Sequence, residues 1–437
     1  MTEPATTVDA VATRESIAAV FRIERTRLLA SLVRMLGDID RAEELVQDAF
    51  VAALADWPRG GIPDKPGAWL MATAKRRAID AFRRDRVQAE KHAGLVHDAM
   101  LQPPPGLEAL EAAMDDDIGD QRLGLIFAAC HPLLPVDARI ALTLRLLGGL
   151  TTDDIARAFL SREATIAQRI VRAKRSLAKA GLPFEVPRGR ERDERLASVL
   201  EVVYLIFNEG YAATAGEDPI RPALCEEALR LGRSLAGLAP EEPEVLGLLA
   251  LMELQASRLQ ARVGTDGQLL TLPQQDRRRW DRLLIRRGLD ALARAEALGG
   301  AEGPYVLQAA LAACHARASH YEATDWPRIA ALYDRLRIVV PSPVVELNRA
   351  IAHSMAFGAE TGLGMLALLT KVPALQGYAP LPAARADCLY RLGRLAEARA
   401  AFEQAAALTR NSAERAFLLR RALACAPSPL DEGRSSD

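Results

Sequence analysis

Apolar positions along this chain recur almost everywhere at three- and four-residue intervals, and no stretch alternates convincingly with a period of two. That pattern predicts an all-α protein. Residues 1–13 are polar and read as a disordered N-terminus. A first helical domain is expected over 14–87, with helices at about 14–36 and 40–57, a Pro/Gly turn at 58–66 and a helix from Gly67 to about Arg86. Residues 88–118 hold Gln102-Pro103-Pro104-Pro105-Gly106 and read as a linker. A second compact helical domain is expected over 119–182, after which Pro183, Pro187 and Gly189 mark a boundary. From 190 to 425 helix follows helix, and 426–437 read as a flexible tail.

Three segments carry polar faces suited to chemistry. In the first, Leu150 to Leu160 reads as a helix, Ser161 to Ala164 as a short turn, and Thr165 to Arg175 as a second helix. At 100° per residue, Ile166, Ile170, Ala173 and Leu177 share one arc, while Thr165, Gln168, Arg169, Arg172 and Arg175 fall opposite. Such a helix suits the DNA major groove, where Arg reads guanine, Gln reads adenine and Thr reaches a phosphate. A helical hairpin with a solvated basic face is the plainer reading; the turn and the residue types favour DNA.

In the second segment, Trp69 to Arg84, residues Leu70, Met71, Ala74, Ala78, Ala81 and Phe82 form the apolar arc. Arg76, Arg77, Asp80, Arg83 and Arg84 lie opposite, an outward guanidinium set suited to a phosphate backbone. Taken alone, an ordinary charged surface explains it nearly as well. In the third segment, Asp40 is a plausible helix cap, and Ala42, Leu45, Val46, Ala49 and Ala53 face inward. Glu43, Glu44, Gln47 and Asp48 are then expected to be exposed, a face suited to a basic protein partner rather than to DNA.

In this order, the three segments resemble the extracytoplasmic-function (ECF) RNA polymerase sigma factors over about residues 14–182. Ala42 to Phe50 resembles the polymerase-binding stretch of sigma region two, which implies core-polymerase contacts at Glu43, Glu44, Gln47, Asp48 and Phe50. The acidic pair is Glu43-Glu44 where Glu-Asp is common in the family. Trp69 to Arg84 resembles the −10 recognition helix, and Leu150 to Arg175 resembles region four, which reads the −35 element. The remainder is similar to the subgroup with a C-terminal tetratricopeptide-like extension. The stretches that carry this likeness are Phe127 to Pro132, Tyr204 to Tyr211 and Pro341 to Ala350. The resemblance implies two small sigma domains followed by a repeat domain, with core RNA polymerase and promoter DNA as partners.

Repeat patterning agrees with that extension. A period of about 34 residues aligns Ala310–Val340, a unit from Val344 with Gly358 at its turn, and Gly393 to Ala398 followed by Phe402 and Ala405. Stacked repeats make a concave surface, so an intramolecular contact with the sigma module and an unidentified protein partner are both expected.

Composition changes the picture in one respect. The net charge over 437 residues is −1, with 26% charged and 50% hydrophobic, yet the charges are segregated. Residues 69–91 hold seven Lys/Arg against three Asp/Glu, 157–192 hold ten against three, and 108–120 hold six acids and no base. Basic blocks around an acidic one point to contact with a polyanion at defined places, and from charge alone solvated helix faces explain them equally well. The acidic block is expected to thread a positively charged polymerase channel. Neither a signal peptide nor a membrane-length apolar run occurs, and the five cysteines are unpaired in spacing, so a reducing cytoplasm is expected.

Other chemistry finds little footing. Cys130-His131, and Cys314-His315 with His320, lack four ligands at a recognised spacing and read as core, so no metal is expected. Asn208 and Glu209 read as a buried polar contact or a helix end. No phosphate loop, dinucleotide fingerprint or nucleophile elbow occurs, so neither catalysis nor a cofactor is expected. The alternative is a one-component helix-turn-helix regulator with a repeat-type sensing domain. The segment Glu43 to Phe50 has no evident use in such a protein.

Overall fold

The computed structural model describes residues 6–92, 118–159, 161–213, 220–264 and 268–425. These are helical, with one isolated β-bridge between Val263 and Leu269. The chain divides into two compact units, Met1–Val202 and Val203–Asp437.

The first unit opens with α1 (Thr6–Leu36), α2 (Ile39–Gly60) and α3 (Pro66–His92). Residues 6–13, expected to be disordered, belong to α1. The side chain that caps α2 is Asp38, not Asp40: it accepts from the Arg41 amide at 3.1 Å. Pro58, expected to start a turn, lies within the last turn of α2 instead; the chain leaves that helix at Gly61, whose φ of 80° favours glycine. The stripe Ala42, Leu45, Val46, Ala49 and Ala53 is buried, as the 3.6-residue period demands. Trp57 meets Trp69 edge-on at 5.4 Å, tying α2 to α3.

Helices α4 (Ile118–Ala129), α5 (Val136–Leu146), α6 (Thr152–Ala158) and α7 (Glu163–Ala180) follow. The helix expected from Thr165 starts two residues earlier. The linker expected over 88–118 continues α3 as far as His92, and residues 93–117, including most of the acidic block, lie outside the described residues. Gly124 is required by packing: a Cβ there would sit 2.6 Å from the Phe184 carbonyl oxygen.

Helix α8 (Gly189–Tyr211) begins after the Pro183–Gly189 boundary, but its residues to Val202 belong to the first unit. Ser198 donates to the Cys130 carbonyl at 2.5 Å, and Arg139 bridges Ser198 at 2.5 Å and Glu201 at 2.9 Å. Cys130 itself is buried, and burial pushes its thiol up to about 12.

The second unit continues with α9 (Pro222–Leu238), α10 (Pro243–Ala256), α11 (Arg282–Ala297), α12 (Pro304–Arg317), α13 (Trp326–Val339), α14 (Pro343–Phe357), α15 (Ala359–Leu369), α16 (Pro380–Arg391), α17 (Leu395–Leu408) and α18 (Ser412–Leu423). Each helix from α12 onward packs on the next. The turn between α14 and α15 is the single residue Gly358 at φ 103°. One core joins Leu251, Leu292, Val306 and Leu332, and a further one gathers Phe402, Ala398 and Leu418. Glu209 pairs with Arg221 inside this unit. No helix among the described residues is long and apolar enough to cross a membrane.

Candidate functional site

Helix α7 divides along its length. Ile166, Ile170, Ala173 and Leu177 are buried, which plants the helix on α5 and α6. Thr165, Gln168, Arg172 and Arg175 are exposed on the other side. Arg169 shares that side but is partly engaged, 3.3 Å from Asp137 at the start of α5. A glycine in the left-handed region, Gly181, ends the helix.

On α3, Arg76 and Asp80 are exposed, and Leu70, Ala74 and Ala78 are buried. Arg77 is half-buried and pairs with Asp48 of α2 at 3.2 Å. The basic face of α3 and the acidic face of α2 therefore touch at this point. The side chains of Arg83 and Arg84 lie outside the described residues.

The acidic face of α2 differs from expectation at one residue, Glu43. Glu44, Gln47 and Asp48 are exposed. Phe50 is not: it is 5% exposed and meets Phe21 of α1 edge-on at 4.7 Å, so it is a core residue. Glu43 is not exposed either. Its carboxylate accepts from Arg25 at 3.2 Å and from Lys174 at 2.5 Å, with Arg145 at 3.7 Å.

Lys174 also donates to Asp40 at 2.6 Å. Burial works against its charge, but the hydrogen bonds to Asp40 and Glu43 outweigh that, and its ammonium is held above the ordinary lysine value. Arg25 donates to the Leu146 carbonyl at 3.0 Å as well. Three cations and two carboxylates from α1, α2, α5 and α7 thus close on one another within the first unit. The cluster's non-local partners carry little sequence signal. Lys174 does sit four residues after Ile170 and directly after Ala173, at the border of the apolar arc, where a long side chain is half covered.

Comparison with known proteins assigns these helices. Sigma-70 region 2 matches residues 20–87, Sigma-70, region 4 matches 125–177, and a family of unknown function (DUF6596) matches 195–296. An RNA polymerase sigma-H factor of Pseudomonas aeruginosa is 30% identical over 168 residues, which are 36% of this chain and 82% of that protein. The chain belongs to the sigma-70 family of RNA polymerase sigma factors.

The sigma factor is also similar to a probable ECF RNA polymerase sigma factor, SigI, of Mycobacterium tuberculosis, 30% identical over 185 residues, 41% of this chain and 60% of that one. Likeness over almost the whole length comes from an uncharacterized protein of Rhizobium meliloti, 42% identical over 399 residues, 90% of this chain and 92% of the relative. The helix-turn-helix with α7 therefore lies in region 4 of this sigma factor, and α2 and α3 lie in region 2.

Proposed function

We propose that this sigma factor binds core RNA polymerase and directs promoter-specific initiation, with α7 reading the −35 element, α3 engaging the −10 element and α2 docking on polymerase. The observation that carries the reading is the division of α7, four apolar residues buried and Thr165, Gln168, Arg172 and Arg175 presented together. On α3, Arg76 and Asp80 are the exposed groups for DNA, joined by Arg77 once it parts from Asp48, and by Arg83 and Arg84 further along the helix. On α2, Glu44, Gln47 and Asp48 are available to a basic helix of polymerase, whereas Glu43 becomes available only when its cluster with Arg25, Arg145 and Lys174 parts. Phe50 supports the α2 face from beneath.

The protein works in the cytoplasm, where polymerase and promoters are, and its C-terminal helical domain regulates it as a tetratricopeptide-like extension. Covalent attachment gives that domain a high effective concentration near the sigma regions. In-vitro transcription with purified core polymerase and genomic promoter fragments tests the reading. Promoter-dependent transcripts are expected with the full chain, and a several-fold change after truncation at Val202, which keeps the part of α8 that belongs to the first unit. Operator binding without any transcript from core polymerase would favour the one-component regulator instead.

A further inference from the structure

A cavity of about 220 Å³ opens within the C-terminal unit. Three aromatic side chains form part of its wall: Tyr204 from α8, Tyr333 from α13, and Trp280 from the segment before α11. Between them, Gln255 of α10, Gln308 of α12 and Asn348 of α14 supply amides. Arg258 and His315 complete the polar lining, and no Asp or Glu is among the described residues that face the cavity.

Trp280 is 4% exposed, and its Nε1 and the Nδ1 of His315 are fully buried. Behind Trp280, Arg277 lies over the indole at 4.6 Å and donates to the carbonyls of His315 and Ala318 at 2.5 and 2.7 Å.

The protonation states are fixed by these neighbours. Burial, with Arg258 and Arg277 beside it, pushes His315 down to about 4, so its ring is neutral. Burial pushes Tyr333 up to about 12 and raises Tyr204. Both phenols keep their protons and donate. The residues around the cavity thus bring a guanidinium, two protonated phenols and three amides, with no carboxylate among the described lining residues to oppose an anion.

We infer that this cavity binds a small aromatic carboxylate, its acid group on Arg258 and its ring among Tyr204, Trp280 and Tyr333. Size supports this occupant: at about 220 Å³ the cavity lies below the roughly 300–1,000 Å³ usual for drug-sized ligands, which favours a molecule of one ring and an acid group. The inference does not depend on how the sigma regions act.

Calorimetry and thermal unfolding of the full chain with benzoate, 4-hydroxybenzoate and indole-3-acetate test it, with benzyl alcohol and benzylamine as uncharged and cationic counterparts. At least one acid is expected to bind one-to-one with a Kd at or below about 1 mM, and its neutral counterpart at least about tenfold more weakly. Arg258→Gln and Ala312→Phe, the second filling the cavity, each abolish binding. A crystal structure with the tightest acid places its carboxylate within hydrogen-bond distance of Arg258. Failure of all three acids to bind, equal binding of benzylamine, or an acid located elsewhere in the crystal overturns the inference.

Discussion

On α7, Arg172 and Arg175 are exposed and have no carboxylate partner among the described residues. In the C-terminal unit, Arg335 stands 2.5 Å from Glu302, Arg349 2.6 Å from Asp334, and Arg421 2.8 Å from Asp387. A guanidinium held on a rigid helix without a counter-charge is free for phosphates and base edges. A guanidinium whose planar fork already faces a carboxylate has its charge cancelled and serves instead to order two segments. Arginine content alone therefore says little about nucleic-acid binding; the pairing state says much more.

The sharpest way to break this contrast is to remove both unpaired arginines. Arg172→Ala with Arg175→Ala is expected to weaken binding to a −35 element by about 4 kcal/mol, near the sum of two base or phosphate interactions. The slope of log affinity against log salt should fall by about one for each phosphate that the variant no longer neutralises. Arg169→Ala should cost less than Arg172→Ala, because Arg169 already leans on Asp137 at 3.3 Å. Gel-shift titrations across salt concentration measure all of this. Unchanged affinity in the double variant removes α7 from the interface.

A second test uses the place where α7 departs from the contrast. Lys174 is a half-buried, fully paired cation on the helix that presents Arg172 and Arg175, and its partner Glu43 is 12% exposed. Glu43→Gln leaves Arg25, Arg145 and Lys174 with one carboxylate, Asp40, and is expected to destabilise the first unit by about 3 kcal/mol. Glu44→Gln, one residue along on the exposed face, should change stability by less than about 0.5 kcal/mol yet weaken polymerase binding. Thermal unfolding and co-purification with core polymerase separate the two. Equal stability losses would mean that the cluster is an ordinary surface pairing.

Glu43 also shows where sequence reading stops. The four buried positions of α7 are legible because a helix against solvent obeys one period, and no distant residue alters it. Glu43 obeys the same period on α2, but its partners stand 18 positions before it and 131 after it. Only the packing of α7 and α1 beside α2 reveals them. Burial of Phe50 is non-local in the same way: the resemblance implies a polymerase contact there, while its burial follows from Phe21 on another helix. Capping by Asp38 rather than Asp40 is a two-residue shift of the kind common at helix ends. The cavity of the C-terminal unit left no mark as a cavity, although Tyr204 and Asn348 lie in stretches that carry the family likeness. Its lining runs from Tyr204 to Asn348, and His315 drew notice only beside Cys314 as a metal ligand.

The smallest expected effect concerns arginines whose charge acts inward. Arg258 and Arg277 face His315, and together with burial they hold its pKa near 4. The unfolded chain takes up this proton near the ordinary value of about 6.5. The folded-state value is thus depressed, so the stability tied to the neutral ring is fully present above about pH 6.5 and is lost as pH falls toward 4. Between pH 7 and pH 5 the loss is roughly 2 kcal/mol. His315→Gln removes that proton site but leaves the others, so the difference between the pH dependences of variant and parent isolates it. Urea unfolding at the two pH values should show the parent losing about 2 kcal/mol more than the variant. Parallel losses would mean that burial, with Arg258 and Arg277 beside it, does not hold the imidazole of His315 neutral.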